Sequence, residues 1–589
     1  MFLPLKCTSH WICARQQGKI AIKRAKIDKK CVLGLRVRMF QALLSVVALI
    51  SSLFHPNPVD PIVITPYGAI EGFELDSANV FLGIRYAKAP NGDLRLEKPE
   101  KVEQWTDTLQ AKEYGPMCLQ GTRLTDSEDF NEDCLFMNIV VPKERTSNTA
   151  KFPVFFFIHG GGFQFGSPRD YNLSVIAQNF VNKGIIFVSI QYRLGTYGFL
   201  TTEDTVLPGN LGLWDQKVAL DFAREILPSF GGDIDRITVG GESAGAASVS
   251  AMALSPHTRD NFAQAVQISG SIFASFAMGN DSYEYNRRFI EAIGCYAFSS
   301  MEVKTCLKKK SVKEFFEAAG QTTTDFDALF GVPFHPRVDG DFLPAEPSVL
   351  MDSAPVKPTI SGVNDKELGG FVLDGFNKSY IDVTWPFWNS FDRSGLLEKL
   401  KITSQHIPNL DDLLVQFYAD PIEPGETRNS SECLTKHIQS ISDISFVIPA
   451  YLEAQEKLSH GWPVYLYITS FYSKSPQKMS LPVKGSFHSN ELPYLFGNKP
   501  RFPILDNEAS RQFMKNIVDA YFSFIKTGKP TIESLQWKPI SKAEDDAYLS
   551  LDLKCTMKEG FMRKSIKFWT KEVMNVVDKT KLKPLFPDL

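Results

Sequence analysis

Between Phe152 and Ile268 the chain carries four short apolar runs that polar residues scarcely interrupt: Phe152–Ile158 (FPVFFFI), Ile185–Ile190 (IIFVSI), Ile237–Val239 and Ala265–Ile268. Runs of this length without alternation are expected of strands covered on both faces, the habit of a mostly parallel sheet. Helical periodicity lies between them. It is clearest from Leu213 to Leu227, where Val218, Phe222 and Ile226 recur at every fourth position, and it stops at Pro228 and the Gly231-Gly232 pair. Strands alternating with helices predict an α/β fold, a large and mostly parallel central sheet flanked by helices. Nearer the start, Pro61 to Tyr86 alternates β-branched and aromatic residues with glycine punctuation, which predicts hairpins. With no internal repeat and no low-complexity linker, residues 56–589 read as one large domain.

The amino end follows a different pattern. Met39 to Phe54 (MFQALLSVVALISSLF) is an uncharged apolar run preceded by Arg36 and Arg38 and closed by Pro56 and Pro58. At 16 residues it is short for a span, which wants about 20, so residues 39–54 read first as a cleaved secretory signal and second as a type II signal anchor. Residues 1–38 form a basic extension. They are either a genuine cytoplasmic or targeting segment, or the product of translation starting upstream of a signal that begins at Met39.

Charge sharpens this division. Residues 1–38 hold ten Lys and Arg against one acid, Asp28, whereas the remaining 551 residues carry 54 bases against 66 acids. An acidic body without a basic stripe argues against nucleic-acid binding, because phosphate neutralisation supplies most of that affinity. With 43% hydrophobic and 22% charged residues the composition is globular, and the 39 Gly and 35 Pro show no collagen period.

Six cysteines lie downstream of the extension: Cys118, Cys134, Cys295, Cys306, Cys433 and Cys555. None forms a C-x-x-C pair, so zinc and thiol-redox chemistry gain no support and no metal is expected. Four N-x-[ST] sequons, at Asn172, Asn280, Asn377 and Asn429, become glycan acceptors if the chain enters the secretory pathway.

Two motifs carry chemistry. Gly241-Glu242-Ser243-Ala244-Gly245 follows the strand-like Arg236–Gly240 and precedes a helical stretch of small residues, Ala246 to Leu254. This is the context a nucleophile elbow requires: a reversal so sharp that neighbouring side chains would collide, which exposes the serine and sets the amide of Ala244 at a helix N-terminus. Upstream, His159-Gly160-Gly161-Gly162 directly follows the FPVFFFI run. Amides of Gly161 and Gly162 pointing inward from such a loop would complete an oxyanion hole with that of Ala244. The glycine loop lacks the G-K-[ST] of a phosphate loop.

With both halves present, the chain resembles the type-B carboxylesterase and cholinesterase family of α/β-hydrolases. The resemblance includes Phe81–Ala87 (FLGIRYA), Glu132–Leu135 (EDCL), Asn210–Gln216 (NLGLWDQ), Phe230–Asp233 (FGGD) and Val338–Gly340 (VDG). It points to the remaining members of a triad with Ser243. Gly362–Glu367 (GVNDKE) resembles the family's acid loop and Gly485–Phe496 (GSFHSNELPYLF) its histidine loop, implying Glu367 and His488. It further implies Glu242 and Ser269 as polar support around His488, a structural ion pair between Arg95 and Glu132, and bridges Cys118–Cys134 and Cys295–Cys306. Cys433 and Cys555 match no family pairing and either pair together or remain thiols.

Two positions depart from the pattern. Ser489 stands where glycine commonly follows the histidine, and Leu368 where many members have glycine after the acid. Neither is expected to touch a triad side chain, so both bear on the gorge wall and substrate preference.

The implied activity is cofactor-free hydrolysis of a small-molecule carboxylic ester through an acyl-enzyme. The tryptophan that binds a quaternary ammonium in the cholinesterase branch is missing from the 15-residue loop between Cys118 and Cys134, where the one aromatic is Phe130. That favours uncharged esters. The alternatives are a non-catalytic adhesion or binding member of the fold, disfavoured by the presence of Ser243, Glu367 and His488, and a lipase or cholinesterase specificity. The expected location is the secretory lumen or outside the cell, with membrane attachment only if residues 39–54 remain as an anchor. Nothing in the sequence implies a partner chain or sets an oligomeric state.

Overall fold

A computed structural model describes residues 60–121, 129–143, 151–279, 282–323, 332–374, 381–404, 407–420, 429–473, 481–498, 506–541 and 546–587. The basic extension 1–38, the apolar run 39–54 and the sequons Asn280 and Asn377 lie outside these residues. From Pro61 onward the chain forms one compact unit.

The centre is an 11-stranded mixed sheet, the α/β-hydrolase arrangement. Its strands in chain order are β1 (Phe73–Leu75), β2 (Ala78–Arg85), β3 (Phe136–Pro142), β4 (Phe152–Ile158), β5 (Ile186–Ile190) and β6 (Gly232–Glu242). Then follow β7 (Gln264–Ile268), β8 (Thr359–Asn364), β9 (Val464–Thr469), β10 (Tyr548–Leu551) and β11 (Thr556–Lys558). Across the sheet the order is β11-β10-β9-β8-β7-β6-β4-β5-β3-β2-β1. From β10 to β5 every neighbouring pair is parallel, while β3, β2, β1 and β11 join antiparallel at the two edges.

The apolar runs are continuous because the sheet is covered twice. Along β4, Val154, Phe156 and Ile158 enter one core while Phe155 and Phe157 enter the other, as a side-chain period of two demands. Helices α1 (Leu211–Ile226) and α2 (Ala244–Leu254) close the first face. On the second, α5 (Glu508–Thr527) packs Phe513, Ile517, Tyr521 and Phe524. Between these in sequence come α3 (Ser430–Ser442) and α4 (Ile448–Ser459). Two hairpins form where the early alternation predicts them, Ile62–Thr65 with Gly68–Glu71 and β1 with β2.

Strand order decides where chemistry can occur. From β4 the chain crosses to β5 on one side, then returns to place β6 on the other, so the connections leaving β4 and β6 diverge above their carboxyl ends. Such a reversal opens a crevice at the strand ends. The glycine loop leaves β4 there, and Ser243 leaves β6.

Candidate active site

The elbow is strained and tightly packed. Ser243 has φ 57° and ψ −122°, outside the comfortable regions for a side-chain-bearing residue. Its amide donates to Ile268 O at 2.8 Å, and its carbonyl accepts from Ala247 N at 3.0 Å. A Cβ on Gly241 would stand 2.3 Å from Gly245 O, and one on Gly245 would stand 2.2 Å from Ile158 O. Both obstacles are backbone carbonyls, so the elbow admits only hydrogen at these positions. Ser243 is 8% exposed.

Gly161 adopts φ 110°, and a Cβ there would lie 1.9 Å from Phe165 O. Among the described residues, none accepts a hydrogen bond from the amides of Gly161, Gly162 or Ala244. Gly161 and Gly162 are half-buried, whereas Ala244 is fully buried, and a buried amide is rarely left this way. His159, the first residue of the loop, is buried, stacks on Tyr192 at 4.6 Å and has Nδ1 2.8 Å from Gly160 O. Burial lowers its imidazole to about 4, so it is neutral and structural.

His488 and Glu367, 121 residues apart, meet at the carboxyl edge with Nδ1 to Oε2 at 2.7 Å. The His488 amide also donates to Glu367 O at 2.9 Å. The other carboxylate oxygen of Glu367 accepts from Asn364 N at 2.6 Å. Rings of Phe446 and Phe371 lie 4.6 and 5.8 Å from the imidazole. Its remaining nitrogen, Nε2, is 3.2 Å from Glu242 Oε1, and Glu242 immediately precedes Ser243. Burial by itself favours neutral imidazole, but the charge of Glu242 and the hydrogen bond and charge of Glu367 outweigh it and hold His488 up at about 9.

Ser269 stands one step further out. Its hydroxyl accepts from Asn364 Nδ2 at 3.2 Å, and the same amide group donates to Glu491 Oε2 at 2.9 Å. Asn364 and Glu491 are site residues that sequence reasoning missed. Nothing local marks either one, because their importance comes from being fully buried beside Glu367. Ser489 also does more than shape a wall, since its hydroxyl donates to Glu242 Oε1. Leu368 packs into the core and donates its amide to Ser442 Oγ at 3.0 Å.

Elsewhere, Cys118–Cys134 and Cys295–Cys306 are disulfide-bonded, and Cys433 and Cys555 are free thiols rather than a pair. Arg95 grips Glu132 through two contacts of 2.5 Å. Asn172 and Asn429 are exposed, and their side chains cap the helix Leu173–Asn179 and α3. Among the described residues no cluster of three or more His, Cys, Asp or Glu could hold a metal ion, and no helix is long and apolar enough to cross a membrane.

The sequence pattern of the Carboxylesterase family matches residues 59–569. The chain belongs to the carboxylesterase family. Among curated relatives, this carboxylesterase is 35% identical to Gut esterase 1 of Caenorhabditis briggsae over 529 residues, covering 86% of this chain and 92% of that one. Bile salt-activated lipase of Bos taurus is 32% identical over 537 residues, 86% and 87% of the two chains. Pyrethroid hydrolase Ces2e of Rattus norvegicus is 30% identical over 520 residues, 85% and 87%. As a member of this family with relatives named as esterases and hydrolases, the protein is a carboxylic ester hydrolase.

Proposed function

We propose that this carboxylesterase works through a Ser243–His488–Glu367 triad and a covalent acyl-enzyme. The observation that carries the reading is the Glu367–His488 contact of 2.7 Å at the same sheet edge as the strained Ser243 elbow. His488 Nε2 takes the proton as Ser243 Oγ adds to the ester carbonyl, and Glu367 orients the imidazole and balances its charge. The carbonyl oxygen, now anionic, receives the amides of Gly161, Gly162 and Ala244, whose lack of other acceptors supports that role. As the tetrahedral species collapses, imidazolium returns its proton to the departing alcohol. Water, deprotonated by His488, then releases the acid and restores Ser243.

A fluorophosphonate probe tests this without knowledge of the natural substrate. One adduct is expected, on the peptide containing Ser243. An intact protein that takes no label would overturn the triad and favour the adhesion reading.

The substrate we infer is an uncharged ester. Phe130, the sole aromatic of the Cys118–Cys134 loop, pairs in a short parallel ladder with Met117 and packs on the core. It supports the loop rather than offering its face to a cation. Entry into the secretory pathway is supported by the two disulfides and by exposed sequons at Asn172 and Asn429. Expression in a secretory host should yield a chain that begins after about Phe54 and shifts on glycosidase treatment. A soluble, unglycosylated product with an intact amino terminus would overturn this.

A further inference from the structure

Ser489 occupies a position that a side chain does not choose freely. Its φ is 65°, in the left-handed region where glycine is at ease and a Cβ crowds its own backbone. The resemblance leads one to expect glycine here, so serine accepts local strain without gaining core burial. What it does contribute is a hydroxyl directed at Glu242 Oε1. That oxygen is the one 3.2 Å from His488 Nε2. Ser489 and the imidazole therefore compete for the same lone pairs on one buried carboxylate, across 247 residues of sequence.

The competition matters because Nε2 is the nitrogen that must serve Ser243. If Glu242 holds it as an imidazolium ion pair, the base is unavailable. We propose that Ser489 is a positioning residue whose hydroxyl shares Glu242 Oε1 with the imidazole and so weakens that carboxylate's hold on His488 Nε2, making the nitrogen easier to free for the Ser243 proton. The proposal rests on the triad reading above. Other charged and titratable groups around the pair are accounted for. Glu367 faces Nδ1, and Glu491, from the histidine loop itself, raises the imidazole only when it is ionised. Tyr171 and Tyr192 feel the charge of Glu242, and burial together with that charge holds both phenols in the neutral form. Asp365 accepts from Ser486 N and pairs with Lys366, acting on Glu367 rather than on Nε2. Among the described residues, Ser489 is the side-chain donor to Glu242 besides His488.

The test is the pH dependence of fluorophosphonate labelling and of kcat/KM for an uncharged ester, in the wild type and in Ser489→Gly and Ser489→Ala. Loss of the hydroxyl frees Glu242 for the imidazolium, so both variants should move the acid limb to higher pH by roughly half a unit to one unit, with the alkaline plateau retained. At pH 6 that is a loss of about three- to tenfold. In a Glu242→Gln background, where no carboxylate charge remains to restrain, the same Ser489→Gly change should leave the midpoint in place. Glycine suits the backbone at 489, so this variant should melt no lower than the wild type.

An unmoved or lowered midpoint in both variants, or a uniform loss of rate at every pH, overturns the proposal. A shift that persists unchanged in the Glu242→Gln background also overturns it. Failure of the wild type itself to label would instead sink the triad reading.

Discussion

Glu453 and Glu491 are both carboxylates removed from solvent, 2% and 0% exposed, yet their surroundings push them in opposite directions. Glu453, on α4, accepts from Ser250 at 2.7 Å, from Gln267 at 3.0 and 3.1 Å and from Ser271, and pairs with Lys457 at 2.7 Å. Burial alone would raise its pKa, but the charge of Lys457 and these donors bring it below the ordinary value. Glu491 has one side-chain donor, Asn364, its Oε1 meets no partner among the described residues, and Glu367 and Glu242 add like charge. Burial first, and then Glu367, push it up to about 8. Equal burial thus produces a satisfied ion in the scaffold and a frustrated acid at the site. The deciding quantity is the supply of donors and counter-charge. The carboxylate beside Glu367 and His488 is left unsettled, whereas the one in the scaffold is settled.

Each half of this contrast can be broken separately. The largest effect is expected from Ser243→Ala, which should lower kcat by about 10⁴- to 10⁶-fold while thermal unfolding barely moves. Comparable activity in the variant would remove the site from the comparison altogether. Next is Glu453→Ala, which leaves Lys457 buried without its counter-ion and should cost about 3–5 kcal/mol in urea unfolding. The folded fraction should retain its kcat. A stable variant with impaired turnover would show that the scaffold cluster belongs to the site.

Glu491→Gln should act through pH. In the native protein the carboxyl keeps its proton up to about 8, whereas the unfolded chain releases it near 4.5. The native form is therefore favoured fully below 4.5 and loses that advantage as pH rises toward 8. Glutamine preserves an acceptor for Asn364 and never ionises, so the variant should gain roughly 3 kcal/mol relative to wild type between pH 5 and pH 8. Parallel stability curves for the two proteins would mean that Glu491 is as settled as Glu453.

The smallest effect concerns whether the site's acids recruit a cation. Butyrylthiocholine and its uncharged carbon isostere should differ by less than tenfold in kcat/KM, about 1.4 kcal/mol, and any advantage of the charged ester should vanish at high salt. A larger preference that survives salt would assign Glu242 or Glu491 an attractive role toward substrate.

Much of this molecule is local and therefore readable from its sequence. Runs such as Phe152–Ile158 declare strands buried on both sides, because a strand with no polar face has nowhere else to go. The spacing of Val218, Phe222 and Ile226 declares α1, which begins two residues earlier and ends one residue earlier than the periodicity suggests. Gly241 and Gly245 declare the elbow, since the carbonyls 2.3 and 2.2 Å from their missing Cβ atoms exclude any other residue. Resemblance, rather than pattern, singled out Glu367 and His488 among many acids and nine histidines.

Strand order and the partners of buried polar groups were decided only by tertiary structure. The placement of β6 beside β4 instead of β5 opens the crevice, and no single segment encodes it. Likewise Glu453 finds Gln267 across 186 residues, Asn364 finds Glu491 across 127, and Ser489 finds Glu242 across 247. Hydrophobic burial is non-directional and leaves its period in the local sequence. Hydrogen-bond satisfaction depends on which distant donor arrives within about 3 Å. Whether a buried carboxylate becomes a fixed ion like Glu453 or a proton-holding acid like Glu491 is therefore settled only when the strands have met.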